Sequence, residues 1–287
     1  MNKTWWLCAV VCLSGSVLAA EPGMVASVVA TETHVIRFDE SGNQVWQTPS
    51  GVSRDVWALP DGHTLFAFNF EPGVTGGVRE VDASGKVVWE FKTDGWVLSC
   101  QRLADGNTLV GAAGRCAVLI VDPAGRIVNE IKVKMRKPHK HALTTARMLD
   151  NSHVLVVEEQ VGLVREYQTD GQVVWEYHPP FRPFGAVRVA GGNTFISGRD
   201  GIIEVTPNRA IVWRLTREDV SAMGPRWFAG FQIRANGNLV ICNPGGKVPF
   251  YEVDRNKQIV WQSTLSRDAI SPAHNLCLVN EKPPLKH

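Results

Sequence analysis

The sequence predicts an all-β chain folded as a six-bladed β-propeller with four-stranded blades, and three observations predict it. A ten-residue frame recurs six times, at 38–47, 81–90, 121–130, 167–176, 205–214 and 253–262. Between its copies the chain carries short apolar runs separated by Asp-Gly, Asn-Gly and Gly-Gly turns. Glycine is abundant (26 of 287 residues) and the apolar segments are rich in Val, Ile and Trp, which suits strands joined by many turns.

The frame itself reads FDESGNQVWQ, VDASGKVVWE, VDPAGRIVNE, YQTDGQVVWE, VTPNRAIVWR and VDRNKQIVWQ. Five copies carry a tryptophan at the ninth position (Trp46, Trp89, Trp175, Trp213, Trp261), and the third has Asn129 there. The steps between these positions are 43, 40, 46, 38 and 48 residues. A period of 40 to 50 with four short strands per unit is the signature of a propeller blade. Length alone allows two domains; the repeat assigns residues 21–287 to one propeller.

Within a unit the strands follow from turn chemistry. WVLSCQRL reads as an inner strand, ADGN as its turn, TLVGAA and RCAVLIVD as the next two strands, and RIVNEIKV as the outer one. Matching inner turns stand at LPDGHT, LDNSH, VAGGNT and RANGNL. The ends are complementary. Residues 24–30 (MVASVVA) occupy a second-strand slot with no first strand before them, and residues 274–280 (HNLCLVN) supply one. A first blade built from both termini closes the ring without an exposed edge.

The opening MNKTWWLCAVVCLSGSVLAAEPG has a lysine, a short apolar stretch and a small-residue ending, the pattern of a secretory signal cut after Ala19 or Ala20. The apolar run is shorter than the roughly 20 residues that span a bilayer. A periplasmic or secreted protein without stable membrane insertion is expected. Beyond the leader stand Cys100, Cys116, Cys242 and Cys277. Their spacing is too wide for a disulfide scaffold and contains no CxxC pair, so they read as buried small hydrophobes. Thirty Lys and Arg balance 28 Asp and Glu, which with the export signal argues against nucleic acid as a partner. A monomer is expected.

The D-x-x-G-x-x-x-W frame resembles the repeats of propellers related to pyrroloquinoline-quinone alcohol dehydrogenases, and those of arylsulfotransferase-like propellers. The likeness spans the mature chain at the level of the repeat, which specifies architecture and leaves activity open. The first group implies a quinone cofactor. Its adjacent-cysteine pair is missing here, and no carboxylate cluster suits the calcium ion that accompanies the quinone, so no cofactor and no metal are predicted. The carboxylates of Glu158 and Glu159 should point to opposite faces of an extended strand.

Chemistry is expected where the repeat is broken, on the loops that enter the inner strands and crowd one channel mouth. In ring order these carry Arg54 and Asp55, Trp96, His141, Arg182 with Phe184, Arg226 with Trp227, and His274. Trp57, Trp96 and Trp227 are the three tryptophans outside both leader and repeat. Six-fold geometry sets His141 opposite His274, and Trp96 opposite Trp227. His139 and His178 join the candidate ligand-binding side chains, and 132–141 (KVKMRKPHKH) brings an electropositive lip to the same rim. Aromatic faces with convergent Arg and His suit a planar or sugar-like anion, or a protein docked at the rim. The expected function is therefore ligand binding by an exported propeller. The alternative is arylsulfotransferase-like chemistry, which the resemblance implies would use His274 or His141 as sulfate acceptor. A quinone-dependent oxidoreductase and an acidic-saccharide lyase or hydrolase follow behind.

Overall fold

The computed structural model describes residues 26–71, 73–134, 137–140, 142–266, 270, 272–279 and 281. The expected leader and His141 lie outside the described residues. Six four-stranded antiparallel sheets are arranged as blades, and strand order within each runs outward from an inner strand. Blade I consists of Asn275–Leu278, Ser27–Ala30, His34–Phe38 and Gln44–Pro49. Its inner strand comes from the C-terminal side of the chain and pairs antiparallel with Ser27–Ala30, Ser27 facing Leu278 and Ala30 facing Asn275. The ring is closed as the complementary ends predict. The inner strands of blades II to VI are Val56–Ala58, Val97–Arg102, Thr145–Met148, Pro183–Arg188 and Phe231–Ile233.

Burial follows position in the blade. The middle strands of blade III, Thr108–Ala112 and Ala117–Val121, are buried along their whole length because neighbouring blades cover both faces. Hence their sequences are continuous apolar runs. Outer strands such as Ile211–Thr216 expose their leading residues.

Three of the repeated tryptophans join their blade to the next by a hydrogen bond. The indole N–H groups of Trp89, Trp175 and Trp213 donate to the carbonyls of Pro123 (3.0 Å), Pro207 (3.0 Å) and Arg255 (2.9 Å), each in the last turn of the following blade. Arginines cover the same rings: Arg102 over Trp89 at 5.3 Å, Arg188 over Trp175 at 5.0 Å and Arg255 over Trp213 at 4.7 Å. At Asn129 this latch is missing. The Asn129 side chain turns back to accept the N–H of Glu130, and the Tyr167 hydroxyl holds blades III and IV together by accepting the N–H of Lys134 at 3.0 Å.

The hairpins that join first to second and third to fourth strands are three-residue loops, in which a tight turn is followed by a residue in the left-handed region. Leu59 N–H bonds to the His63 carbonyl and Gly62 N–H to the Leu59 carbonyl, with Gly62 at φ 86°. In blade IV the same place holds Ser152 at φ 63°, although left-handed backbone strains any residue with a Cβ. Ser152 is exposed. Ser152→Gly is therefore expected to stabilise the protein by about 0.5–1 kcal/mol, the relieved strain outweighing the added chain entropy. Chemical denaturation measures it; an unchanged or lowered midpoint would contradict it.

Candidate functional site: the channel cavity

One mouth of the channel opens into a cavity of about 400 Å³, within the range of small-molecule sites. Its floor is an ion pair at the centre of the ring. Asp55, just before the inner strand of blade II, takes a two-pronged contact from Arg147 of blade IV, with Nη1 to Oδ2 at 2.6 Å and Nη2 to Oδ1 at 2.9 Å. The Ser99 hydroxyl and Cys100 N–H of blade III donate to Oδ2, and the Asn275 amide of blade I donates to Oδ1, each at 2.9 Å. Five hydrogen bonds to one buried carboxylate thus tie four blades together. Gly230 on the cavity wall permits this closeness, because a Cβ there would lie 2.3 Å from Asn275 Oδ1.

Above the floor the wall is aromatic, with Trp96, Phe184, Trp227 and Phe231. Charged side chains enter from the blade-to-blade loops (Arg54, Lys140, Arg182, His274) and from the turns between second and third strands (Glu32, Glu159). They form two clusters.

In the first, His274 Nε2 lies 2.8 Å from Glu32 Oε1, and Arg54 Nη2 reaches the same oxygen at 2.8 Å. Glu32 is lowered to about 2 by the hydrogen bond from His274 and by Arg54, against the opposing effect of burial. Burial lowers His274 to about 4, with Arg54 adding to it and Glu32 opposing. At neutral pH the pair is therefore a carboxylate accepting from a neutral imidazole. That bond fixes the proton on Nε2 and leaves Nδ1 as the basic nitrogen.

In the second cluster Arg182 Nη2 stands 2.6 Å from Glu159 Oε1. Burial raises Glu159 to about 7, only partly offset by Arg182, Arg54 and Lys140. One cavity thus holds two carboxyl groups whose surroundings drive their acidities far apart, an arrangement typical of functional sites.

The structure brings together Arg54, Trp96, Arg182, Phe184, Trp227 and His274 from the residues singled out in the sequence. Others lie elsewhere. Asp55 is sealed in the floor, only 2 % exposed. Trp57 packs beneath it, its indole donating to the Cys100 carbonyl at 2.6 Å with Arg147 over the ring at 5.0 Å. Arg226 is exposed outside the cavity against Gly245, so of two neighbouring loop residues only Trp227 turns inward. His139 and His178 line separate outer hollows that adjoin Arg182.

Glu32, Arg147 and Phe231 were not singled out in the sequence, nor was Glu159 as a site residue. Glu158 and Glu159 part company by another route than strand alternation. Glu158 ends the strand Val154–Glu158, buried with Arg165 (2.6 Å) and Tyr167, whereas Glu159 begins the following turn and lines the cavity. The signal for Glu32 and Glu159 was available in their position, since second-to-third-strand turns share the mouth with the blade-to-blade loops.

Among the described residues one further group has metal-ligand types within reach of one another, Asp61, His63 and Glu80. Its core is a blade feature, because His63–Glu80 (2.6 Å) recurs in blade IV as His153–Glu166 (2.8 Å), and Glu80 also binds Arg102. Cys100, Cys242 and Cys277 are buried free thiols, while Cys116 is half-buried. No helix of the described residues is long and apolar enough to cross a membrane.

Solved structures with this fold include a protein of unknown function from Bacteroides caccae. It superposes with TM-score 0.76 and 20% identity over 90% of this chain and 100% of its own. A streptogramin B lyase follows at TM-score 0.62 and 12% identity, covering 94% and 93% of the two chains. A virginiamycin B lyase from Staphylococcus aureus, in complex with quinupristin, reaches TM-score 0.59 at 11% identity over 84% and 85%. At such identities the likeness is one of fold. No curated protein matches the chain in sequence. A family profile does match, over residues 31–234 and so across well over half of the chain, and it meets the resemblance to pyrroloquinoline-quinone-type repeats: the protein belongs to the PQQ_2 family, that of the outer membrane protein assembly factor BamB.

Proposed function

We propose that the protein is an exported propeller that binds an acidic, ring-shaped ligand, a carboxylate-bearing saccharide, in the channel cavity. The observation that carries this reading is the pairing of aromatic walls with convergent cations in one cavity of ligand size. Trp96 and Trp227 offer faces to a ring, while Arg54 and Arg182 offer guanidinium groups to a carboxylate. Arg54 uses Nη2 on Glu32, and its Nη1 has no partner among the described residues. The leader-like opening of the sequence supports export, and so does the family's description as an outer membrane protein assembly factor.

A second reading, acid–base catalysis on such a ligand, is favoured by one observation. His274 lines the cavity with its imidazole oriented by Glu32, the carboxylate–histidine arrangement that acid–base catalysis uses.

One experiment addresses both. The protein is heated with uronic acids, aryl sulfates and neutral hexoses, and each mixture is assayed for turnover. Uronic acids are expected to raise the melting temperature and neutral hexoses to leave it unchanged. Arg182→Ala should weaken uronate binding by roughly 10-fold or more, the loss of a charge-assisted contact. Equal stabilisation by acidic and neutral sugars would defeat the proposal. Turnover that vanishes in His274→Ala would establish the second reading.

A further inference from the structure

The cavity does not end at Arg182. On the far side of that residue lies a hollow of about 510 Å³ bordered by His139, Glu159, Gln160, Val161 and Gly162. Beyond Gly162 comes a groove of about 460 Å³ bordered by Tyr177, His178, Phe181 and Arg214. Arg182 lines all three spaces, Glu159 is shared by the first two and Gly162 by the last two. They therefore form consecutive compartments of one trough, running from the channel between blades IV and V to the outer surface. Arg182 stands at the crest with its side chain 45% exposed, whereas its partner Glu159 is 4% exposed.

The far groove repeats the chemistry of the cavity. It has aromatic surface (Tyr177, Phe181), rigid proline backbone (Pro179, Pro180) and cationic or protonatable groups (Arg214, His178). A single small anion would fill the central cavity and leave this second set unused. We propose that the ligand is a chain, an acidic oligosaccharide whose end unit enters the channel cavity and whose following units cross Arg182 into the groove at His178 and Arg214. The inference rests on the acidic-saccharide reading above and adds the length of the ligand. Alternating ring-sized apolar faces and cations match a polymer with one carboxylate per ring. Tyr177 and Arg214 belong to the outer strands Val173–Tyr177 and Ile211–Thr216, the edges on which an extended peptide would pair, so an acidic peptide is the competing occupant that the titration must exclude.

Calorimetric titration of the full protein with galacturonic acid, and with its linear trimer and hexamer, tests this. The trimer or hexamer is expected to bind roughly 10-fold more tightly than the monomer, because linked contacts add without a second association cost. His178 and Arg214 are exposed, so their joint truncation leaves the core intact. His178→Ala combined with Arg214→Ala should remove the gain with length and leave the monomer affinity within about 2-fold. Equal binding of monomer and hexamer, or a length gain that survives the double substitution, would overturn the chain-ligand inference alone. Failure of monomer and oligomers alike to bind would overturn it together with the saccharide reading. Tighter binding of an acidic hexapeptide than of the hexasaccharide would overturn the choice of ligand.

Discussion

Arg147→Ala is expected to destabilise the protein by about 3–5 kcal/mol, the cost of leaving a buried charge without its partner. Asp55 is almost wholly buried and takes two of its five hydrogen bonds from this one guanidinium. Arg147 Nη1 also bonds to the Ser99 hydroxyl at 2.8 Å and the Ala146 carbonyl at 2.9 Å, and its guanidinium covers Trp57. Truncation would therefore strand the carboxylate and open space beneath the cavity. Asp55→Ala strands the arginine, the Cys100 N–H and the Asn275 amide in turn. Because the two side chains act as a unit, the double variant should lose clearly less than the sum of the single losses. Urea denaturation of the four proteins measures this. Additive losses, or an Arg147→Ala variant within about 1 kcal/mol of the parent, would show that the floor is not a coupled pair.

Glu159→Gln is expected to stabilise the protein at pH 8 by about 2 kcal/mol and to make little difference near pH 4.5. Burial raises Glu159 from the ordinary 4.5 to about 7, so the folded state holds this proton more tightly than the unfolded chain. Stability attached to the group is complete below 4.5 and falls away as the pH rises to 7. Above 7 the folded protein carries an ionised carboxylate that is 4% exposed, with Arg182 only partly offsetting its desolvation. Glutamine keeps an acceptor for Arg182 and has no charge to desolvate. His274 contributes in the opposite sense. Its folded value of about 4 lies below the ordinary 6.5, so its stability is present above 6.5 and lost as the pH falls to 4. Comparing parent and variant at each pH cancels that background. Melting curves from pH 4.5 to 8 that stay parallel would refute the assignment.

The scaffold was legible because it is written in periodic, local signals. Trp89 and its counterparts recur in five of the six blades, since successive blades dock at the same place and a repeated contact favours a repeated residue. The complementary ends 24–30 and 274–280 announced closure, because a lone inner strand at one terminus fits a missing one at the other. The site was half legible. Breaks in the repeat pointed to Arg54, Trp96, Arg182, Trp227 and His274, all of which reach the cavity. They pointed equally to Trp57 and Arg226, which do not. Loop side chains have no period to fix their direction, so adjacent Arg226 and Trp227 can diverge.

What the sequence by itself determined is the architecture: six blades, four strands in each, a ring closed by both ends, and the rim on which non-repeating residues gather. Tertiary structure alone decided how those residues combine. Asp55 meets Arg147 across 92 positions of sequence, and Glu32 meets His274 across 242. Burial and partners then set Glu32 near 2 and Glu159 near 7. The reason is physical. Strand pairing and blade docking repeat along the chain, whereas charge pairing at the channel depends on which blades face one another once the ring has closed.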